Sequence, residues 1–170
     1  VEPGSFTMGT PTSEAGRETD ENETQVTFNI GFYLGKYEVT QAEYEFVMTG
    51  NSDGIDATPS NFSGHSARPV ERVKYGDAQV FIQRLNDQMS SSTPAGWAYV
   101  LPSEAQWEYA ACCGLPSGPR QNLEYKEGFV TKRNLGAPGS LQEVAWYDAN
   151  SQNQTQPIGQ KRSNEWGLFD

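Results

Sequence analysis

Residues 101–111, LPSEAQWEYAA, contain the clearest helix start in this chain. Ser103 is followed three positions later by Gln106, the capping-box spacing in which each side chain bonds the backbone N–H of the other residue. We expect a helix to begin here, with Trp107 and Tyr109 packing into the core. The carboxylates at positions 104 and 108 have the residue type of a catalytic pair, but the helix start and core packing explain this segment better.

Two further helices are predicted on the N-terminal side of this segment. Thr40 and Glu43 repeat the capping-box spacing before a run that ends at Gly50, which indicates a short helix. A longer helix is predicted at about 75–89, because its apolar residues recur at helical spacing along one stripe. The buried face of this helix is expected to contain Phe81, Ile82 and Leu85.

Alternating apolar and polar residues predict three short strands. The first covers 4–9, and the second covers 26–30 and continues after Gly31 through 32–39. The third covers 97–101. Strands, helices and a long irregular C-terminal part follow one another without regular strand–helix alternation. This order indicates an α+β fold rather than a wound parallel sheet.

Composition excludes several classes of protein. The 170 residues fit one domain and carry 12 Lys plus Arg against 22 Asp plus Glu, a net charge of −10 that argues against nucleic-acid binding. No apolar stretch is long enough to span a membrane. One histidine and two adjacent cysteines exclude a His-rich metal centre and a disulfide framework. The acidic, Asn- and Gln-rich, Lys-poor composition favours an exported protein.

The long loop at 51–68 contains the single histidine of the chain, His65. A loop of this length is usually functional or is anchored by its own side chains, of which Phe62 is the candidate here. His65 lies in the polar sequence Gly64-His65-Ser66. It is therefore interpreted as a solvated loop histidine rather than as the base of a catalytic triad.

Five groups of residues, in the same order along the chain, resemble motifs of the formylglycine-generating enzyme family, also called the sulfatase-modifying factor family. The segment at 101–111 is close to the family's L-P-T-E-A-E-W-E-Y-A-A. The other matching segments are GSFTMG at 4–9, YEVTQAEY at 37–44, PVERVKYGDA at 69–78, and PIG at 157–159 with NEWGLFD at 164–170. The resemblance implies an elaborated C-type-lectin-like α+β fold with little regular secondary structure, two main helices and long loops.

The resemblance leaves two alternatives for the function. In the first, the parent protein oxidises a cysteine of a sulfatase-like polypeptide to formylglycine, using copper held by a pair of cysteines. In the second, a non-catalytic member of the family uses the same scaffold to bind a protein or glycan ligand.

The cysteine pair is the feature that separates the two alternatives. In the family, G-L-Y-D is followed by G-N-V-W-E-W and then by the cysteine pair, whereas this sequence ends at Asp170. Residues 1–170 are therefore expected to form a single, incomplete domain without catalytic residues, which a further segment or a second chain completes. Cys112 and Cys113 stand where the family has Arg-Gly, so a copper site is expected only if the parent protein has the pair elsewhere.

The resemblance also implies a calcium site. Its ligands would be the side chains of Asn134 and Asn150 and the carbonyls of Leu135 and Gln152, placed by alignment on Pro157. Amide and carbonyl oxygens on irregular loops are ligands that Ca²⁺ prefers. Asn150 stands where other members can have Asp, which would weaken the site by one charge. The alternative is that these asparagines only form turns.

Overall fold

A computed structural model describes residues 1–12, 17–112 and 141–169. The described elements are two strands and five helices. They are β1 (Gly4–Met8), β2 (Thr24–Phe28), α1 (Gln41–Met48), α2 (Tyr75–Met89), α3 (Glu104–Ala111), α4 (Leu141–Val144) and α5 (Asp148–Ser151). Strands and helices with long irregular connections confirm the predicted α+β class.

The chain divides into two compact units. The first consists of Val1–Tyr37, Pro102–Trp146 and Gly159–Asp170, and the second of Glu38–Leu101 and Tyr147–Ile158. Among the described residues, no helix is both long enough and apolar enough to cross a membrane. The export inferred from composition stays a prediction.

Aromatic packing between the sheet and α3 forms the core of the first unit. β1 and β2 pair antiparallel, with Gly4 opposite Phe28. Tyr109 of α3 is 1% exposed, and its ring centroid lies 5.2 Å from that of Phe6 and 5.0 Å from that of Phe28. Tilted aromatic rings at these distances stabilise the fold by more than the burial of their apolar area alone.

The predicted continuation of the second strand is wrong. β2 ends at Phe28, Ile30 is 82% exposed, and no strand follows as far as residue 39. The chain instead turns toward its own N-terminus. There, the Phe32 N–H donates to the Val1 carbonyl at 3.1 Å, and the Val1 amino group donates to the Phe32 carbonyl at 2.9 Å. The alternating pattern crosses a bend, where alternation no longer indicates one continuous strand.

The core of the second unit lies between α1 and α2. Its buried cluster consists of Tyr44, Val47, Met48 and Phe81, against which Ile82 and Leu85 pack. Helix α2 has the predicted bounds, and of the predicted stripe Phe81 is buried while Ile82 and Leu85 are half-buried. The rings of Tyr44 and Phe81 stack with centroids 5.3 Å apart and an angle of 12°.

Both predicted capping boxes are confirmed. At the start of α1, Thr40 Oγ1 accepts from the Glu43 N–H at 3.2 Å, and the Glu43 carboxylate accepts from the Thr40 N–H at 2.8 Å. At the start of α3, Ser103 Oγ accepts from the Gln106 N–H at 3.2 Å, and Gln106 Oε1 accepts from the Ser103 N–H at 2.9 Å. Each helix therefore begins where its local sequence predicts.

Two predictions next to α3 are wrong. Trp107 is 64% exposed, whereas Tyr109 is buried. Residues two apart on a helix point about 200° away from each other, so both cannot face one core. Residues 97–101 do not form a strand, because the backbone of Tyr99 bonds the Asn86 side chain instead of a neighbouring strand.

Candidate functional site

A surface cavity of about 260 Å³ lies at the start of α1 in the second unit. One wall is formed by the first turns of α1 and the other by residues 57–66. The polar part of the lining includes Gln41, Glu45, Ser60 and His65. The apolar part includes Ala42, Ala57, Pro59 and Val70.

Backbone hydrogen bonds fix the loop against α1. The N–H groups of Gln41 and Ala42 donate to the carbonyls of Arg68 and Ser66 at 2.9 and 3.1 Å. The Gln41 side-chain amide also donates to the Phe62 carbonyl at 3.1 Å. The first N–H groups of a helix usually form an anion site, but here the loop carbonyls use two of them. The loop is therefore held rigidly, and the cavity does not have the chemistry of a phosphate site.

His65 is exposed, in line with its interpretation as a solvated loop histidine. Its Nδ1 accepts from the Ala67 N–H at 3.3 Å, so the neutral ring carries its proton on Nε2. No group of three or more His, Cys, Asp or Glu side chains able to hold a metal ion occurs among the described residues.

An exposed apolar segment, residues 97–101, is the second candidate surface. Trp97, Tyr99, Val100 and Leu101 are 54%, 42%, 68% and 38% exposed. The Asn86 side chain donates to the Tyr99 carbonyl at 2.9 Å and accepts from the Tyr99 N–H at 2.8 Å. This pair of hydrogen bonds satisfies the backbone of Tyr99 without a partner strand.

Sequence reasoning singled out the loop at 51–68 but missed the cavity that the loop forms with α1 and the exposed segment at 97–101. The cavity forms because the loop at 51–68 packs against the start of α1, and no local sequence pattern predicts that contact. Asn86 gave a weak signal, because asparagine is unfavourable inside a helix unless its side chain has a separate use. Here that use is the contact with Tyr99.

Two of the four predicted calcium ligands lie outside the described residues, namely Asn134 and Leu135. Asn150 is in α5, and its Oδ1 accepts from the Tyr147 N–H at 2.8 Å, which caps that helix. Gln152 follows α5 with a φ of 57°. The oxygen donors of Asn150 and Gln152 are of the type Ca²⁺ prefers but carry no charge. The four-ligand calcium site stays a prediction.

Copper does not fit the described part of the chain. A Cu(I) site of the implied type needs paired thiolates. Cys112 directly follows the last residue of α3, and Cys113 lies outside the described residues. Among the described residues there is therefore no pair of thiolates for a copper ion.

Comparison with known proteins agrees with the architecture. The family described as "Sulfatase-modifying factor enzyme 1-like domain" matches residues 1–170. The "Chaperone protein LppX" of Paenibacillus barcinonensis is 31% identical over 183 residues, which cover 82% of this chain and 58% of that protein. The structure of PvdO from Pseudomonas aeruginosa matches with a TM-score of 0.72 at 28% identity, covering 100% of this chain and 64% of that one. The chain thus spans less than two thirds of either relative. It belongs to the sulfatase-modifying factor enzyme 1-like family and has the elaborated α+β fold of the formylglycine-generating type.

Proposed function

We propose that this protein recognises a polypeptide partner through its formylglycine-generating-type scaffold, and that the described residues bind the partner rather than oxidise it. The exposed apolar segment at 97–101 is the observation that carries the proposal. A relative named as a chaperone protein supports it, because a chaperone acts on polypeptides.

The chemistry of the segment suits side-chain recognition. Tryptophan and tyrosine provide large contact areas at a small cost in conformational entropy, and they are enriched at protein interfaces. The Tyr99 backbone is already bonded to Asn86, so a partner is not expected to add a strand at that residue. We therefore expect apolar contacts with Trp97 and Val100 to provide most of the affinity.

The test measures binding of an unfolded polypeptide to the full-length protein. The probe is a fluorescently labelled, reduced and carboxymethylated polypeptide, followed by anisotropy. The double variant Trp97→Ser, Val100→Ser is expected to bind about tenfold or more weakly, the size typical of lost hot-spot residues. Phe46→Ser is the matched control, because Phe46 is 75% exposed on α1 in the same unit and lies outside the segment. Absence of binding by the wild type, or equal losses in both variants, would overturn the proposal.

The family description favours a second candidate, the oxidation of a substrate cysteine to formylglycine by the whole protein. The test incubates the full-length protein with a sulfatase-type cysteine peptide, copper and oxygen, and measures formylglycine by mass spectrometry. Product from the full-length protein would establish this candidate. Residues 1–170 alone are expected to give no product, because Cys112 and Cys113 do not correspond to the family's pair. Product from that fragment would contradict this expectation.

A further inference from the structure

We propose that the cavity at the start of α1 binds a primary ammonium group carried on an aliphatic chain, as found in a lysine side chain or a small diamine. The inference does not depend on polypeptide binding by the apolar segment. It rests on the charge, the hydrogen-bonding groups and the size of the cavity.

Glu45 provides the charge. Glu45 lines the cavity and is exposed to solvent. The chain as a whole has a formal net charge of −10 at pH 7. The ion pair found within the described ranges joins Arg72 to Glu71 at 3.9 Å, and no lysine or arginine there pairs with Glu45. His65, which also lines the cavity, accepts a hydrogen bond at Nδ1 from the Ala67 N–H. No described lysine or arginine therefore pairs with the Glu45 carboxylate, and the net negative charge of the chain favours the approach of cations.

Gln41 provides an oriented acceptor. Its side-chain nitrogen donates to the carbonyls of Phe62 and Pro69 at 3.1 and 3.3 Å. These two bonds use the amide donors, so Oε1 is the remaining polar atom of this lining side chain and is an acceptor. A carboxylate and an amide oxygen suit an ammonium group, which has three donors and no acceptor.

The apolar lining and the size of the cavity favour a lysine-type ligand. Ala42, Ala57, Pro59 and Val70 line the same cavity as Glu45. A lysine side chain places its methylene groups on apolar surface while its charged end stays at a polar rim. The volume of about 260 Å³ lies just below that of sites for drug-sized ligands, roughly 300–1,000 Å³, so it suits one long side chain.

The experiment titrates the full-length protein by calorimetry at low ionic strength and about pH 8. Three probes are compared: N-acetyl-lysine methylamide, its Nε-acetylated and therefore neutral analogue, and 1,5-diaminopentane. We expect saturable binding of at least one ammonium probe and binding about tenfold or more weaker for the neutral analogue. Stronger binding of the lysine amide would identify a polypeptide side chain as the source, and stronger binding of the diamine would identify a free amine.

Two variants with the same net charge separate a site from general attraction. Glu45→Gln is expected to weaken binding about fivefold or more, while Asp87→Asn, an exposed acid of α2 outside the cavity lining, leaves it unchanged. Glu45 is exposed, so the variant is expected to fold, and its thermal unfolding checks this. Equal binding of charged and neutral probes, equal effects of the two variants, or no saturable binding would overturn the proposal.

Discussion

The backbone N–H of Gly9 donates to both carboxylate oxygens of Glu108, at 3.0 and 3.3 Å, across 99 positions of sequence. Gly9 has a φ of +85°, and a Cβ there would lie 2.5 Å from the Asn22 carbonyl oxygen. Only glycine therefore fits the conformation and the close approach at this position. The contact joins the end of β1 to α3 and gives the Glu108 carboxylate a structural role.

Removing this carboxylate is expected to destabilise the protein. Glu108→Ala should lower the free energy of unfolding by about 1–3 kcal/mol, because the Gly9 N–H loses a charged acceptor. Glu108→Gln should cost less, since it retains one acceptor. Urea denaturation measures both variants, with the exposed Glu23→Gln as a control expected to stay within about 0.5 kcal/mol. Equal stabilities for Glu108→Ala and the control would contradict the role assigned to Glu108.

Two buried tyrosines are expected to respond oppositely to loss of their hydroxyl groups. The Tyr44 hydroxyl is buried and has no hydrogen-bond partner among the described residues, whereas the Tyr109 hydroxyl donates to the Glu2 carbonyl at 3.2 Å. Tyr44→Phe should leave stability unchanged or raise it by about 1 kcal/mol, and Tyr109→Phe should lower it by about 0.5–1.5 kcal/mol. Chemical denaturation of the two variants gives the comparison. A Tyr44→Phe loss as large as that of Tyr109→Phe would show that the Tyr44 hydroxyl has a partner.

The same tyrosines predict a loss of stability at alkaline pH. Burial, with smaller contributions from the charges of Asp77 and Asp56, raises the pKa of Tyr44 above 10.0. Burial and the charge of Glu2 raise the pKa of Tyr109 in the same direction. The folded state holds these protons more tightly, so their contribution is complete below about pH 10 and is lost as pH rises through the folded-state pKa.

The measurement follows the free energy of unfolding as pH rises from about 9 to 11. The double variant Tyr44→Phe, Tyr109→Phe should show a shallower decline than the wild type, because it lacks both titrating groups. Identical slopes would mean that neither tyrosine contributes to the alkaline loss.

Phe81 anchors the core of the second unit. It is 6% exposed and stacks on Tyr44. Phe81→Ala should lower the free energy of unfolding by about 3–5 kcal/mol, because it removes a ring and leaves a cavity. Phe46→Ala is the control, since Phe46 is 75% exposed on α1 and should change stability by about 0.5 kcal/mol or less. Similar costs for both variants would contradict the assignment of Phe81 to the core.

The three long helices were predictable because their signals are local. Thr40 with Glu43 and Ser103 with Gln106 form the predicted boxes three residues apart. The stripe that includes Phe81 lies within a single helix. Such features depend on neighbours within one or two turns, so the sequence reports them directly.

The remaining features depend on contacts between distant segments. Phe32 leaves the expected strand because it bonds Val1, and the Tyr99 backbone bonds Asn86 of α2. The cavity likewise depends on the return of Ser66 to the start of α1. Alternation and composition describe one segment at a time and contain no information on which distant segment completes its hydrogen bonds.

Thermal unfolding with and without calcium tests the predicted calcium site. If Ca²⁺ binds the folded state, a chelator should lower the melting temperature and added calcium should restore it, since the unfolded chain cannot assemble the ligands. Each kcal/mol of binding energy corresponds to about 2–4 °C for a chain of this length. Equal melting temperatures with chelator and with calcium would contradict the predicted calcium site.

Two substitutions at this position separate the metal from the helix cap. Asn150→Asp retains an oxygen for the Tyr147 N–H and adds a charge, so it should widen the difference in melting temperature between chelator and calcium. Asn150→Ala removes the cap, which should cost about 1 kcal/mol even in chelator, and it should also abolish the response to calcium. A calcium response that persists in Asn150→Ala would exclude Asn150 as a ligand while leaving its capping role intact.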